Sequence, residues 1–320
     1  ATGRSVGLTG SSANTAYGVD GAFRFLQNTL AVDTYWAQTQ TEGLPGVNTS
    51  YRAYLDFNGD RYGARVERLV IGDAFNPEVG FVRRDDLRKS RGRFRFSPRL
   101  LSVDSIRKLT WSASINYIED VAGRLETRES YAEFGIDFEN SDRFRMRYRR
   151  TYEFLPESFE IAPAIVLPIG GYDFDTVRVS YNFGTQRKVT ADVEAEHGMF
   201  FSGHRTAFTV SRGRLNLVPQ VAVEPTYSVN WVNLFEGEFT THLMGSRVIY
   251  TATPKMFTSA LLQYNSANTT IAANVRFRWE YQPGSELFVV YNEQRDTLSH
   301  RFPELENRAF IVKITRLFRF

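Results

Sequence analysis

Residues Val275–Gln282 read VRFRWEYQ, and the strict alternation in this stretch decides the fold. Successive side chains of a β-strand point to opposite faces, so residues two apart share a side. Val275, Phe277, Trp279 and Tyr281 form one apolar, aromatic face, and Arg276, Arg278, Glu280 and Gln282 form the other. A helix would wind the charged residues around its axis and leave no apolar stripe.

The pattern recurs outward from there. RFRMRYR at 143–149 sets Phe144, Met146 and Tyr148 against Arg143, Arg145, Arg147 and Arg149. VTADVEAE at 189–196 sets Val189, Ala191, Val193 and Ala195 against Thr190, Asp192, Glu194 and Glu196. Tyr17–Phe25, Tyr51–Phe57, Trp111–Tyr117, Ala132–Phe138 and Val177–Phe183 alternate in the same way.

Turn signals separate these segments, and they fall into two classes. One end has short connections, such as Pro283-Gly284, Thr253-Pro254, Pro219-Gln220, Asn140-Ser141-Asp142, Asn58-Gly59-Asp60 and Gln27-Asn28, with Ser97–Ser105 as a longer member. The other end has longer loops: Glu293–Glu306, Tyr152–Asp173, Glu119–Arg124, Asp73–Asp86 and Thr41–Asn48. Asn265–Thr269, Phe235–Glu238 and Met199–Gly203 are its short exceptions. Short turns on one side and longer loops on the other are the periplasmic and extracellular ends of outer-membrane barrels. The expectation is therefore an all-β fold, a transmembrane antiparallel β-barrel of about eighteen strands, forming one domain over residues 1–320. Sixteen strands, or more than eighteen, also fit, because the first strand, GRSVGLTG at 3–10, is the weakest. A soluble sandwich or propeller is the competing expectation. It suits neither the length of the alternating segments, against the usual 5–6 or so residues, nor the lack of a blade-length repeat.

Composition agrees. The 320 residues include 26 Phe, 16 Tyr and 4 Trp, yet only 42% are hydrophobic. That mixture suits a barrel that is apolar outside and polar inside. No run reaches the roughly 18 apolar residues of a helical span; Ile161–Gly171 (IAPAIVLPIGG), with Pro163 and Pro168, reads as a loop. The opening ATGRSVG has no basic and apolar leader pattern, which fits a mature or trimmed chain. Without cysteine there is neither a disulfide nor a thiolate metal site. A net charge of +3 with no basic patch argues against nucleic acid as a partner.

Charge ladders are the main candidate site. An arginine facing lipid at the bilayer midplane costs about 2–4 kcal/mol. Arg91, Arg93 and Arg95, and Arg143, Arg145, Arg147 and Arg149, are therefore expected to face the lumen. So are the acidic strips Glu133, Asp137 and Glu139, and Asp192, Glu194 and Glu196. The functional reading is a charged wall that selects solutes; the plainer one is cross-strand charge pairing. Phe144, Met146, Tyr148, Phe277, Trp279 and Tyr281 are expected to face lipid.

Two loops stand out. Asp73–Asp86 (DAFNPEVGFVRRDD) combines Phe75, Asn76, Pro77, Phe81, Arg83, Arg84, Asp85 and Asp86. It reads either as a constriction folded into the lumen or as an extracellular cap held by Phe75 and Phe81. Tyr152–Asp173 is too apolar for a bare tether and reads as a plug, a partner contact or packing over the rim. The chain ends AFIVKITRLFRF, with Phe310, Val312, Ile314, Phe318 and Phe320 on one parity. Phe318 and Phe320 then resemble the strand signal read by the outer-membrane assembly machinery; Arg316 breaks the face and can snorkel.

Catalysis has little support. His197, His204, His242 and His300 are scattered, and no HExxH, nucleophile elbow or phosphate loop occurs. No catalytic residue, cofactor or metal is expected.

Long stretches resemble a known family. They are TAYGVDGAFRF (15–25), DFNGDRYGARVERLVIGDAFNPEVGFVRRDD (56–86), RFRFSPR (93–99), GRLETRE (123–129) and YEFLPESFEIAP (152–163), followed by GGYDFD (170–175), SRGRLNL (211–217), FRWEYQPGSELFVVYNEQRDT (277–297) and RAFIVKITRLFRF (308–320). Together they resemble the C-terminal barrel region, a domain of unknown function, of bacterial envelope proteins that carry an N-terminal carbohydrate-binding-module-like domain of the family-9 type. The resemblance implies location in the bacterial outer membrane and a longer protein with further sequence upstream. It implies no mechanism and no catalytic residues. The expected partners are outer-membrane lipids and lipopolysaccharide, the assembly machinery and other envelope proteins. The expected function is a channel or transporter for small polar solutes, saccharides among them. The alternatives are a plugged barrel that anchors or docks a partner and, behind it, a barrel hydrolase.

Overall fold

A computed structural model describes residues 2–6, 13–78, 80–298 and 303–318. Every helix or strand element in these residues is a strand. Their apolar residues, many β-branched or aromatic, alternate with polar ones, which fits a pleated surface with two unlike faces. The strands are β1 (Thr2–Val6), β2 (Ala13–Phe25), β3 (Leu30–Thr41), β4 (Thr49–Asn58), β5 (Tyr62–Ile71), β6 (Leu87–Phe96), β7 (Ile106–Glu119), β8 (Leu125–Phe138), β9 (Arg143–Leu155) and β10 (Phe159–Ala162). They continue with β11 (Ile165–Leu167), β12 (Gly170–Asn182), β13 (Val189–Phe200), β14 (Gly203–Val218), β15 (Val221–Leu234), β16 (Gly237–Thr253), β17 (Met256–Asn265), β18 (Thr270–Gln282), β19 (Ser285–Asp296) and β20 (Glu304–Thr315). Among the described residues, eighteen strands belong to one sheet, and β10 pairs with β11 in a separate hairpin. The fold class is the one the alternation predicts: all-β, with one large antiparallel sheet.

The chain divides into two compact units. The first holds residues 1–137, 146–160 and 166–177. Within it β1 to β7 pair antiparallel with their chain neighbours. The register lines up Phe23, Val32, Leu55, Val66, Gly92 and Ile115 across six strands. One residue along, Arg24, Ala31, Asp56, Arg65, Arg93 and Ser114 form the next row, on the opposite face. The second unit holds residues 138–145, 161–165 and 178–320. There β13 to β20 pair in chain order. Val223, Val248, Ala260, Val275, Tyr291 and Phe310 form one such apolar row.

The apolar rows are the exposed ones. Val66 is 60% exposed, Phe23 51% and Phe310 68%, whereas the side chain of Glu67, on the polar face beside Val66, is only 9% exposed. A soluble protein does the reverse: it hides contiguous apolar surface and wets its charges.

Two expectations need correction. Ile161–Gly171 is not plain loop, because β10, β11 and the start of β12 lie in or across it. Its prolines flank the short strands rather than interrupting them: Pro163 precedes Ala164, whose φ is 65°, and Pro168 follows the end of β11. Period two persists inside, with Ile165 and Leu167 buried on either side of exposed Val166. The first strand is Thr2–Val6, and the remainder of GRSVGLTG lies outside the described residues.

The turn between β8 and β9 is built on Asp142, which is 1% exposed. Its carboxylate accepts from the Gly184 amide at 2.7 Å, the Tyr181 hydroxyl at 2.7 Å and Arg187 Nη2 at 2.6 Å. Burial alone would raise its pKa; the Gly184 amide, the Tyr181 hydroxyl and Arg187 outweigh that and hold it below the ordinary carboxylate value. The stabilisation is complete above the unfolded value and is lost as pH falls through the lower folded one. Asp142→Asn is therefore expected to cost about 1–2 kcal/mol at pH 7. The deficit should shrink as urea titrations are repeated toward about pH 3.

Candidate functional site

The charge ladders expected from the sequence share the polar strand face and resolve into paired and unpaired groups, except that Glu139 lies past the end of β8, exposed in the turn that follows it. Arg147 donates through Nε to Glu133 at 2.8 Å, and Arg149 lies 3.9 Å from Glu129. Arg145 donates to the Phe144 carbonyl at 2.8 Å. Asp137, Arg143 and Arg145 share this face and none is free. In the second unit Asp192 pairs with Arg212, Glu194 with Arg178 at 3.2 Å, and Glu196 with both Arg178 and Arg205. Cross-strand pairing of this kind satisfies a polar wall.

The β4–β7 wall differs. Arg95 is spent on the β4–β5 turn: it donates to the Asp60 carbonyl at 3.0 Å and to Asn58 Oδ1 at 3.2 Å, and it also meets the Gly59 carbonyl and Ser97 Oγ. The Gly63 position makes room for this. A Cβ there would stand 3.0 Å from Arg95 Nε. Arg65 donates to Asp56 at 2.7 Å, and Tyr54 donates to the same carboxylate at 3.1 Å. Glu67 takes Arg52 at 2.7 Å and Lys89 at 3.5 Å. Arg91 and Arg93 make no hydrogen bond or ion pair with any described residue, and both are exposed. A cavity of about 270 Å³ opens here, lined by Asp56, Asn58, Gly63, Arg65, Arg93 and Arg95 among others.

Sequence reasoning named Arg91, Arg93 and Arg95 but missed Arg52, Arg65, Asp56, Glu67 and Lys89. The signal was present, since YRAYLDF and GARVERLV alternate, but short strands with only two or three charges do not look like ladders. Arg178 and Arg205 were missed because they stand 18 and 9 residues from Glu196, so only the register shows the meeting.

The side chains expected to face lipid lie on the apolar face, with Met146 47%, Tyr148 46% and Trp279 44% exposed. Phe277 and Tyr281 share the Trp279 parity, and Phe144 shares that of Met146. Toward the short turns this face carries rows of rings. Tyr62, Phe96 and Trp111 are spaced 5.2 and 5.7 Å apart in the first unit. Phe138, Tyr181 and Phe183 are spaced 6.3 and 5.0 Å apart in the second. Toward the longer loops Tyr17 meets Trp36 at 6.0 Å. Phe318 is 64% exposed, and Phe320 lies outside the described residues.

The Asp73–Asp86 loop folds onto the polar face of the first unit. Asn76 donates its amide to Thr39 Oγ1 at 3.0 Å, and its carbonyl accepts from Asn14 Nδ2 at 2.7 Å. Thr39 and Asn14 are essentially inaccessible. Asp73 anchors the Val47 amide at 2.7 Å, Asp86 the Val121 amide at 2.7 Å, and Arg84 pairs with Glu126. Phe75 and Pro77 are half-buried, Arg83 and Asp85 are exposed, and Phe81, at 87% exposure, holds nothing in place. In the Tyr152–Asp173 segment, Ile165 lies against Gly237 in the second unit. His197 shares a hydrogen bond with Thr206 at 2.8 Å on the apolar side, and His242 lies 3.3 Å from the Tyr227 hydroxyl. Among the described residues no group of three His, Asp or Glu is arranged to hold a metal.

No protein-family model matches the chain, and no curated protein matches it. Among solved structures, the chain is similar to the ferric enterobactin receptor (PfeA), crystallised in complex with BCV-L6. The TM-score is 0.40 at 7% sequence identity, over 97% of this chain and 72% of that one.

Proposed function

We propose that the chain is a bacterial outer-membrane β-barrel that passes small polar solutes, saccharides among them, along its charged face. One observation carries this reading: in both units the apolar face is the exposed one, and aromatic rings gather toward its strand ends. Exposed Val, Leu and Ile between aromatic girdles suit acyl chains flanked by two headgroup layers. Outer-membrane lipids and lipopolysaccharide are then its solvent, and Phe318 and Phe320 its assembly signal. Eighteen strands in one sheet are within the range that encloses an aqueous lumen. The kinship read from the sequence, with barrel domains of envelope proteins that also carry a sugar-binding-like domain, belongs to this proposal.

The test is reconstitution into planar bilayers. Stable unitary conductance steps are the expected result. Folded, inserted protein that stays silent would favour a plugged or anchoring barrel and overturn the transport reading.

A further inference from the structure

We propose that the polar face of β4–β7 is a binding site for an oxyanion: the carboxylate, sulfate or phosphate group of a solute. The proposal deepens the transport reading and rests on its premise that this face meets water and solutes.

The argument starts from charge. The polar face of β4, β5 and β6 presents Arg52, Arg65, Lys89, Arg91, Arg93 and Arg95 against two carboxylates, Asp56 and Glu67. Both carboxylates are already engaged, Asp56 by Arg65 and Tyr54, and Glu67 by Arg52 and Lys89. Arg95 is held by the β4–β5 turn. Arg91 and Arg93 make no hydrogen bond or ion pair with any described residue, although Arg93 acts on Asp56 through space. Arg93 also stands directly opposite Arg65 in the register, a like-charge pair that costs stability unless something neutralises it.

Neighbouring polar atoms are unpartnered too. Arg65 Nε is buried with no acceptor. On β7, Ser112 Oγ and Asn116 Oδ1 are buried without partners, and they stand opposite Arg95 and Arg91. Buried polar atoms are normally satisfied, so a cluster of exceptions beside two idle guanidinium groups marks a place built for a ligand. The cavity of about 270 Å³ beside Arg65, Arg93 and Arg95 gives it room. A guanidinium presents paired donors in the plane that an oxyanion accepts, which a diffuse positive wall does not need. In the second unit Arg178 and Arg205 share Glu196, Arg214 shares Glu224 with Arg247, and Arg278 holds Glu286.

The experiment is isothermal titration of the folded protein in detergent, with sodium phosphate, sulfate and glucuronate as separate probes. Ionic strength is held constant with chloride, so that general screening cancels. Saturable binding of at least one probe is expected. Arg93→Gln should weaken it on the order of tenfold to a hundredfold. Arg93→Lys, which keeps the charge and loses the fork, should fall between. Arg214→Gln, which breaks a pair with Glu224 in the second unit, should leave it unchanged. Heat-modifiable migration on gels confirms folding of each variant. No saturable binding, or equal loss in Arg93→Gln and Arg214→Gln, overturns the site. A protein that conducts but binds no oxyanion sinks this proposal alone; one that binds but never conducts sinks the transport reading alone.

Discussion

Val66→Arg is expected to lower the folding free energy in phospholipid vesicles by about 2–4 kcal/mol. Val66 lies midway along β5, is 60% exposed, and sits between Leu55 and Gly92 in an apolar row. On the surface of a soluble protein the same change would be worth no more than about 0.5 kcal/mol, because the guanidinium would stand in water. In a bilayer it meets hydrocarbon, and the cost depends on depth. Tyr51→Arg, near the long-loop end of β4 and also exposed, should therefore cost only about 0–1 kcal/mol. Val66→Leu is the packing control and should be near neutral. Urea titration of each variant in vesicles supplies the comparison. A Val66→Arg protein as stable as wild type, or one no worse than Tyr51→Arg, would take the apolar face out of the membrane.

That face is legible in the amino-acid order, and for a physical reason. Period two follows from the backbone of an extended chain, so VRFRWEYQ states which side chains share a side before any partner is known. The strand ends are legible where Gly, Pro and Asn force a turn. Two places defeat this logic. The β10–β11 hairpin is hidden because Pro163 and Pro168 look like breakers, although each sits just outside a strand. The Asp73–Asp86 loop leaves two readings open because its direction is set by Asn14 and Thr39, which stand 62 and 37 residues upstream of the Asn76 they hold.

The site is legible only in part. Arginine ladders announce a charged face, but not which arginines are spent. Arg95 and Arg93 are two residues apart on one strand; the first is tied to the carbonyls of a turn, and the second makes no hydrogen bond or ion pair with any described residue. That difference comes from register: β5 places Gly63 opposite Arg95 and Arg65 opposite Arg93. Register follows from loop geometry and from the summed fit of whole strands, which no short motif records.

Glu196 provides the second large effect. Its side chain is 3% exposed and lies between Arg178 and Arg205, which are 30% and 26% exposed. Removing one partner of a sealed ion pair costs about 3–5 kcal/mol, mostly because the other charge is stranded. Here both arginines keep some access to water, and Arg178 keeps Glu194 at 3.2 Å. Glu196→Ala is therefore expected to cost less, about 2–3 kcal/mol. Asp192→Ala makes the contrast. It breaks a pair on the same strand whose Arg212 is 77% exposed, so the expected cost is at most about 1 kcal/mol. A double-mutant cycle of Glu196→Ala with Arg205→Ala should recover a coupling of about 1–2 kcal/mol, because each single change strands a partner that the double change removes. If both carboxylates cost the same and the cycle shows no coupling, the polar face is uniformly wet and Glu196 is as solvated as Asp192. If Glu196 alone is costly, the wall has a dry, paired segment in the second unit.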